Sequence, residues 1–186
     1  MKLNQLAQIQ LGANVSRVEL DQDQIYTYDD LIYDLEHFMN VNIPEIDERS
    51  ISEDDYVIYC GDVVYSFISE RATIVSQINT NKVINQNFLK LIVSNQQIDK
   101  MYLCFYLNVA DGMKRQLQLL TQGTLVRRIP ISKFRNLEIP LPDLKRQRQL
   151  GLAYFKSVRI DALAHRREKL ETKLLNGILN EMGKMK

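Results

Sequence analysis

Short apolar runs separated by turn residues fill the middle of the chain. Residues 57–60, 62–68 and 72–78 are rich in Val, Ile, Tyr and Phe and are broken by Gly61 and by Ser69-Glu70-Arg71, which predicts successive strands with tight turns. Residues 88–93 continue the β character. The period then changes: Ile98, Met101, Tyr102, Phe105 and Tyr106 recur at helical spacing, so a helix is expected over 98–108, packed on the sheet. A second helix is expected over 113–120, stopped at Gly123. The acidic stretch 21–55 reads as helix and loop.

A sharper boundary follows. Ile139-Pro140-Leu141-Pro142 must be extended, because each residue before a proline is pushed out of the α region. Asp143 stands at an N-cap position, and residues 144–182 hold no proline and have a helical composition. At about 1.5 Å per residue such a helix reaches about 60 Å, too long to be covered by a domain of about 140 residues, so it is expected to project. Ile160, Leu163, Ala164, Leu170, Leu174, Ile178 and Met182 form a stripe along it that needs a partner helix. Arg167 interrupts the stripe and is placed to pair with Glu171, and a polar group in such a seam favours one register. Gly151 and Gly177 are candidate bends, each costing about 1 kcal/mol against Ala in a helix.

With 45% apolar and 25% charged residues among 186, the chain can bury a core. Two cysteines, Cys60 and Cys104, cannot build the framework of a disulfide-rich scaffold. The start of the chain has no apolar core behind a basic head, and no run nears the roughly 18 apolar residues of a membrane span. A reduced, cytoplasmic protein is expected. The formal net charge of +1 conceals an asymmetry: residues 1–70 carry fifteen acids and three bases, residues 71–186 eight acids and 21 bases. The basic part points to a polyanion or an acidic partner, unless the two halves neutralise each other.

The usual catalytic constellations are missing. There is no phosphate-binding glycine loop, and no tetrapeptide of the kind that methyltransferases acting on DNA amino groups carry. His37 and His165 are the only histidines, and neither has metal-ligand spacing with a cysteine, so no metal or cofactor is expected. Glu171-Thr172-Lys173 matches the end of a nuclease signature, but it lies within the long helix rather than on a strand beside a second carboxylate. The cluster Glu53-Asp54-Asp55 fits a solvated loop better than a cation site.

Several pieces stand in fixed order: Gly61-Asp62-Val63-Val64-Tyr65-Ser66, then the segment from Asn85 to Leu91, the aromatic and leucine-rich helix from Met101 to Leu107, and Gly123-Thr124-Leu125-Val126-Arg127-Arg128-Ile129. Together they resemble one half of a type I restriction–modification specificity subunit. The most specific is Phe134-Arg135-Asn136-Leu137-Glu138-Ile139-Pro140-Leu141-Pro142 with Gln147 shortly behind, which is similar to the family's exit into a long helix. Family members carry two recognition domains and two long helices, whereas this chain has one of each.

The resemblance implies an α+β fold: a mixed sheet-and-helix target recognition domain over 1–142, followed by a long projecting coiled-coil-type helix over 143–186 for spacing and dimerisation. It implies a DNA-reading subunit without its own chemistry, with double-stranded DNA, methyltransferase and restriction subunits as partners. The single recognition unit and the unpaired apolar stripe add the expectation of a homodimer through the long helix, with an exchangeable fragment or a truncated subunit as the alternative. Arg127 and Arg128 are the first candidates for base contacts, since arginine holds guanine bidentately, and Gln116, Gln118, Gln122 and Asn87 suit adenine or mixed edges. Lys114, Arg115, Lys133 and Arg135 suit phosphates, and Arg71 either role. Gly123 and Thr124 belong to the turn that would approach DNA, while Gly61 and Asp62 read as structural. Tyr26, Tyr28 and Tyr33, set among acids, suit a protein contact. Two other readings stay open: a helix-mediated adaptor whose acidic half mimics DNA, and a small metal-dependent nuclease.

Overall fold

A computed structural model describes residues 1–14, 21–38, 56–93, 95–121 and 129–184. Its centre is a four-stranded antiparallel sheet of β1 (Ala7–Leu11), β3 (Val63–Ser66), β4 (Arg71–Ile74) and β6 (Phe88–Val93), in the spatial order β1-β6-β3-β4. A second, two-stranded sheet pairs β2 (Ile25–Tyr26) with β5 (Val83–Ile84) in parallel. The helices are α1 (Tyr28–Glu36), α2 (Lys100–Val109), α3 (Asp111–Thr121), the short α4 (Ile131–Phe134) and α5 (Leu144–Lys184).

Strand alternation divides the core. On β3 and β6, Val63, Tyr65, Leu89, Leu91 and Val93 face α2 and the root of α5, where Leu103, Leu107, Phe134 and Phe155 meet them. Val64 and Phe88 face the other way, into a smaller cluster with Tyr26, Leu31, Ile58 and Ile84. Helix α1 serves both clusters, through Leu35 and Leu31 respectively. Its start is fixed by a reciprocal cap: Thr27 Oγ1 accepts the Asp30 N–H, and the Asp30 carboxylate accepts the Thr27 N–H at 2.9 Å.

The expected helices over 98–108 and 113–120 form, and so does the strand over 88–93. The strands between 57 and 78 are shorter than their apolar runs. Residues 57–60 form no strand; Val57 makes an isolated bridge to Val83. Gly61, at φ 89°, and the Asp62 carboxylate, which accepts the Tyr59 N–H at 2.8 Å, turn the chain there instead. The next run ends at Ser66 because Phe67 to Glu70 make the hairpin turn, with Glu70 at φ 54°. Past Ile74 the third run becomes a 3₁₀ turn at Gln77–Asn79. Within the acidic stretch, residues 39–55 lie outside the described residues.

Helix α5 has 41 residues and a length of about 60 Å. Its first half packs on the globule and its second half does not. Gly151 and Phe155 are buried and Tyr154, Val158 and Ala162 half-buried, whereas residues 163–182 are all exposed. About 30 Å of rod therefore stands clear of the globule. Gly151 marks a close approach rather than a bend: a Cβ there would lie 2.5 Å from Met101 Cβ and 2.7 Å from the Tyr102 nitrogen. At Gly177 a Cβ would meet nothing within 4 Å.

Candidate nucleic-acid interface

The root of α5 is built from the extended segment that precedes it. Leu3 N–H donates to Leu137 O at 2.9 Å and Ile139 N–H to Met1 O at 2.8 Å, so the start of the chain runs beside the segment. Tyr102 Oη donates to Pro140 O at 2.8 Å. Asp143 acts as the expected cap, its Oδ1 accepting the Arg146 N–H at 2.9 Å. Gln147, 1% exposed, accepts the Asp99 N–H through Oε1 and donates through Nε2 to Gln97 O and Pro142 O. Asp99 is itself the N-cap of α2, accepting the Tyr102 N–H at 3.0 Å. One buried amide thus ties the starts of α2 and α5 together.

The candidate DNA contacts divide into three groups. Arg71 is exposed at the first position of β4, opposite Ser66. Asn87, half-buried in the turn before β6, accepts the Phe67 N–H at 2.9 Å, so both lie at one end of the sheet beside the β3–β4 hairpin. Lys114, Arg115 and Gln118 are exposed on the outer side of α3, opposite the buried Met113 and Leu117, and Lys133 is exposed on α4. Gln122, Gly123, Thr124, Arg127 and Arg128 lie outside the described residues.

Two further candidates also have structural work. The Gln116 amide grips the Glu138 backbone twice, donating to its carbonyl at 2.9 Å and accepting its N–H at 2.8 Å. Each end of the amide keeps one further hydrogen-bonding position beyond the Glu138 backbone. Arg135 Nη2 donates to Ile9 O at 3.0 Å, covering a carbonyl on the outer edge of β1. The bond uses one of the five guanidinium N–H donors of an exposed side chain.

Part of the N-terminal acidity is also consumed internally. Asp34 is fully buried, accepting Tyr26 Oη at 2.8 Å and Asn79 Nδ2 at 2.9 Å, and burial pushes its carboxyl above the usual range. Tyr26 is fully buried rather than a surface contact, and burial together with the Asp34 charge pushes its phenol well up. Lys82 Nζ meets Asp30 at 2.7 Å. Asp30 and Asp34 thus belong to a polar network beside Tyr26, whereas Tyr28 is 49% exposed and Tyr33 stacks on His37. Burial likewise raises the thiols of Cys60 and Cys104, which opposes nucleophilic reactivity. Among the described residues no group of three or more His, Cys, Asp or Glu is placed to hold a metal ion, and no helix is long and apolar enough to cross a membrane.

The stripe on α5 is exposed along its length, with Ile160, Leu163, Ala164, Leu170, Leu174, Ile178 and Met182 all accessible and Leu174 66% so. Arg167 Nε lies 3.5 Å from Glu171, the expected pair one turn apart. Leu175 and Leu179, 61% and 63% exposed, widen the apolar surface beyond the residues read from the sequence. Their i, i+4 spacing was the available signal.

No match to a curated protein was found. Among solved structures, the HsdS subunit from Thermoanaerobacter tengcongensis shares the fold, with a TM-score of 0.53 and 17% identity over 97% of this chain and 43% of that one. A second, from work on complex assembly and conformational transition of the type I R-M system, has a TM-score of 0.52 and 17% identity over 96% of this chain and 42% of that one. The chain thus spans less than half the length of either. The model of the type I restriction modification DNA specificity domain matches residues 3–172, through the globule and into the projecting part of α5, and the chain belongs to that family.

Proposed function

We propose that the chain is a DNA specificity subunit of a type I restriction–modification assembly. Residues 1–142 read one half of a split target sequence, and residues 143–186 space the halves and dock methyltransferase subunits, with restriction subunits joining the same complex. The observation that carries this reading is the family match over residues 3–172. The subunit contributes recognition, and its partners supply the chemistry in the cytoplasm.

A symmetric dimer completes the site. The exposed leucine-rich stripe between Ile160 and Met182 is a surface that an isolated helix in water does not keep uncovered without cost, and a second copy of the same stripe satisfies it. Two-fold symmetry then makes the DNA target an interrupted palindrome.

The test is a fluorescence titration of random and selected duplexes in the presence of the methyltransferase. The expected result is a preference for one bipartite sequence, with log affinity falling linearly with log salt. An adaptor with a DNA-mimicking face predicts no salt-dependent duplex binding, and metal-dependent cleavage by the chain alone would instead point to a nuclease.

A further inference from the structure

Helix α5 has four sides, set about a quarter-turn apart by its 3.6-residue period. One side, with Gln147, Gly151, Phe155 and Val158, meets the globule. The next carries Lys145, Arg148, Lys156, Arg159, Arg166 and Lys173. The third carries the apolar stripe, whose Leu163, Leu170 and Leu174 border the basic side. Asp161 and Glu168 lie on the fourth and Glu171 within the stripe, and these are all the carboxylates of the helix between Lys145 and Lys173. Six of the nine Lys and Arg in that span therefore share one side that holds no carboxylate, while Arg146, Arg167 and Lys169 lie off it.

The six bases fall within an arc of about 100° and extend about 42 Å along the axis. Five are exposed; Arg159 is half-buried and donates through Nη1 to Glu36 O at 3.3 Å. The exposed five, Lys145, Arg148, Lys156, Arg166 and Lys173, have no ion pair among the described residues. They continue from the packed half of the helix onto the projecting half, so neither the globule nor the apolar stripe accounts for them.

Their spacing fits a duplex. A straight rod parallel to B-DNA meets the same strand once per turn, about 34 Å. Lys145 and Arg166 are separated by about 32 Å, and Arg148 and Lys173 by about 38 Å. A linear, carboxylate-free array that spans a full helical turn suits a regular polyanion better than a local acidic patch on a protein. We propose that this edge of α5 lies along the sugar–phosphate backbone of the DNA between the half-sites, binding phosphates without reading bases. The inference rests on the DNA-specificity reading above and adds a contact surface to it.

The test replaces Lys145, Arg148, Lys156, Arg166 and Lys173 by Gln in the full chain. Binding to a fluorescent random duplex of about 30 base pairs, roughly three turns, is followed across salt concentrations. The expected result is affinity at least about ten-fold weaker near 0.1 M salt, with the log–log slope reduced by about 0.9 for each phosphate that the variant leaves unneutralised. The ratio of target to random affinity stays unchanged. A companion variant exchanging Lys for Arg and Arg for Lys at the same positions should keep the wild-type slope, and circular dichroism checks that both variants fold. An unaltered slope in the Gln variant overturns the inference while leaving base reading intact. So does wild-type duplex binding combined with loss of methyltransferase co-elution, which would assign the edge to an acidic protein. Absence of any duplex binding by the wild-type chain, alone and with methyltransferase, removes the DNA-specificity reading itself.

Discussion

The side-chain amide of Gln147 accepts the backbone N–H of Asp99 at 2.9 Å, joining the first turn of α5 to the cap of α2 across 48 residues of sequence. Its Nε2 also donates to two carbonyls, at 2.8 Å each, from a side chain that is 1% exposed. Gln147→Ala should remove the partner of one partly buried donor and two acceptors and cost about 1–3 kcal/mol, with water relieving part of the loss. Urea denaturation reads this directly, and a midpoint within error of wild type would contradict it.

The two glycines of α5 should respond in opposite directions. Gly151→Ala forces a methyl into the α2 backbone at Met101 and Tyr102 and is expected to destabilise by about 1–3 kcal/mol. Gly177→Ala points into open space and should raise helix stability by up to about 1 kcal/mol. Paired thermal melts of the two variants separate a packing glycine from a dispensable one.

Self-association should depend on the projecting stripe alone. Leu170→Asp combined with Leu174→Asp places two charges on the exposed apolar face of α5 and should give a monomer by light scattering at micromolar concentration, with globule unfolding unchanged. A wild-type monomer under the same conditions, with and without methyltransferase, would rule out the symmetric dimer.

Base and phosphate contacts should separate by substitution. Arg127→Ala is expected to relax sequence preference by about 1–3 kcal/mol, whereas Lys114→Ala should weaken target and random duplexes alike and lower the salt slope by about 1. Gln116→Ala, by contrast, should cost stability through the Glu138 backbone and leave the target preference in place.

The buried carboxyl of Asp34 sets a pH dependence. Burial raises its folded pKa above the unfolded value near 3.9, so its contribution is fully present below that value and is lost as pH rises through the folded pKa. Stability measured by urea titration from about pH 3 upward should carry this decline, and Asp34→Asn should remove it. Tyr26 is raised as well, so its contribution holds below about pH 10 and is lost in alkali as the phenol ionises.

What could be read from the sequence was local. The Pro140 and Pro142 stop, the Asp143 cap and the change of period at residue 98 each rest on backbone chemistry that acts within a turn, and the structure has these elements there. Strand β1 does carry a signal, the strict apolar–polar alternation of Ala7-Gln8-Ile9-Gln10-Leu11, whereas its pairing with β6, about 80 residues away, does not show in the sequence. Distance hides part of the site as well. Nothing near Gln116 or Arg135 reveals that Glu138 and Ile9 lie within reach, so the backbone bonds of these side chains had no local signal. Gly151 looked like a hinge for the same reason: the α2 backbone that it accommodates is some 50 residues distant.

Because α5 is anchored only as far as Ala162, its outer portion behaves as a cantilever. A tilt of about 5° at the anchorage swings a 30 Å arm by about 3 Å at its tip, roughly the rise of one base pair. In the proposed assembly, the precision with which a distant unit registers against DNA would be set inside the globule, at the collar formed by Gln147, Tyr102 and the 139–142 strap, and softening that collar would blur the measured interval between half-sites without touching any proposed DNA contact.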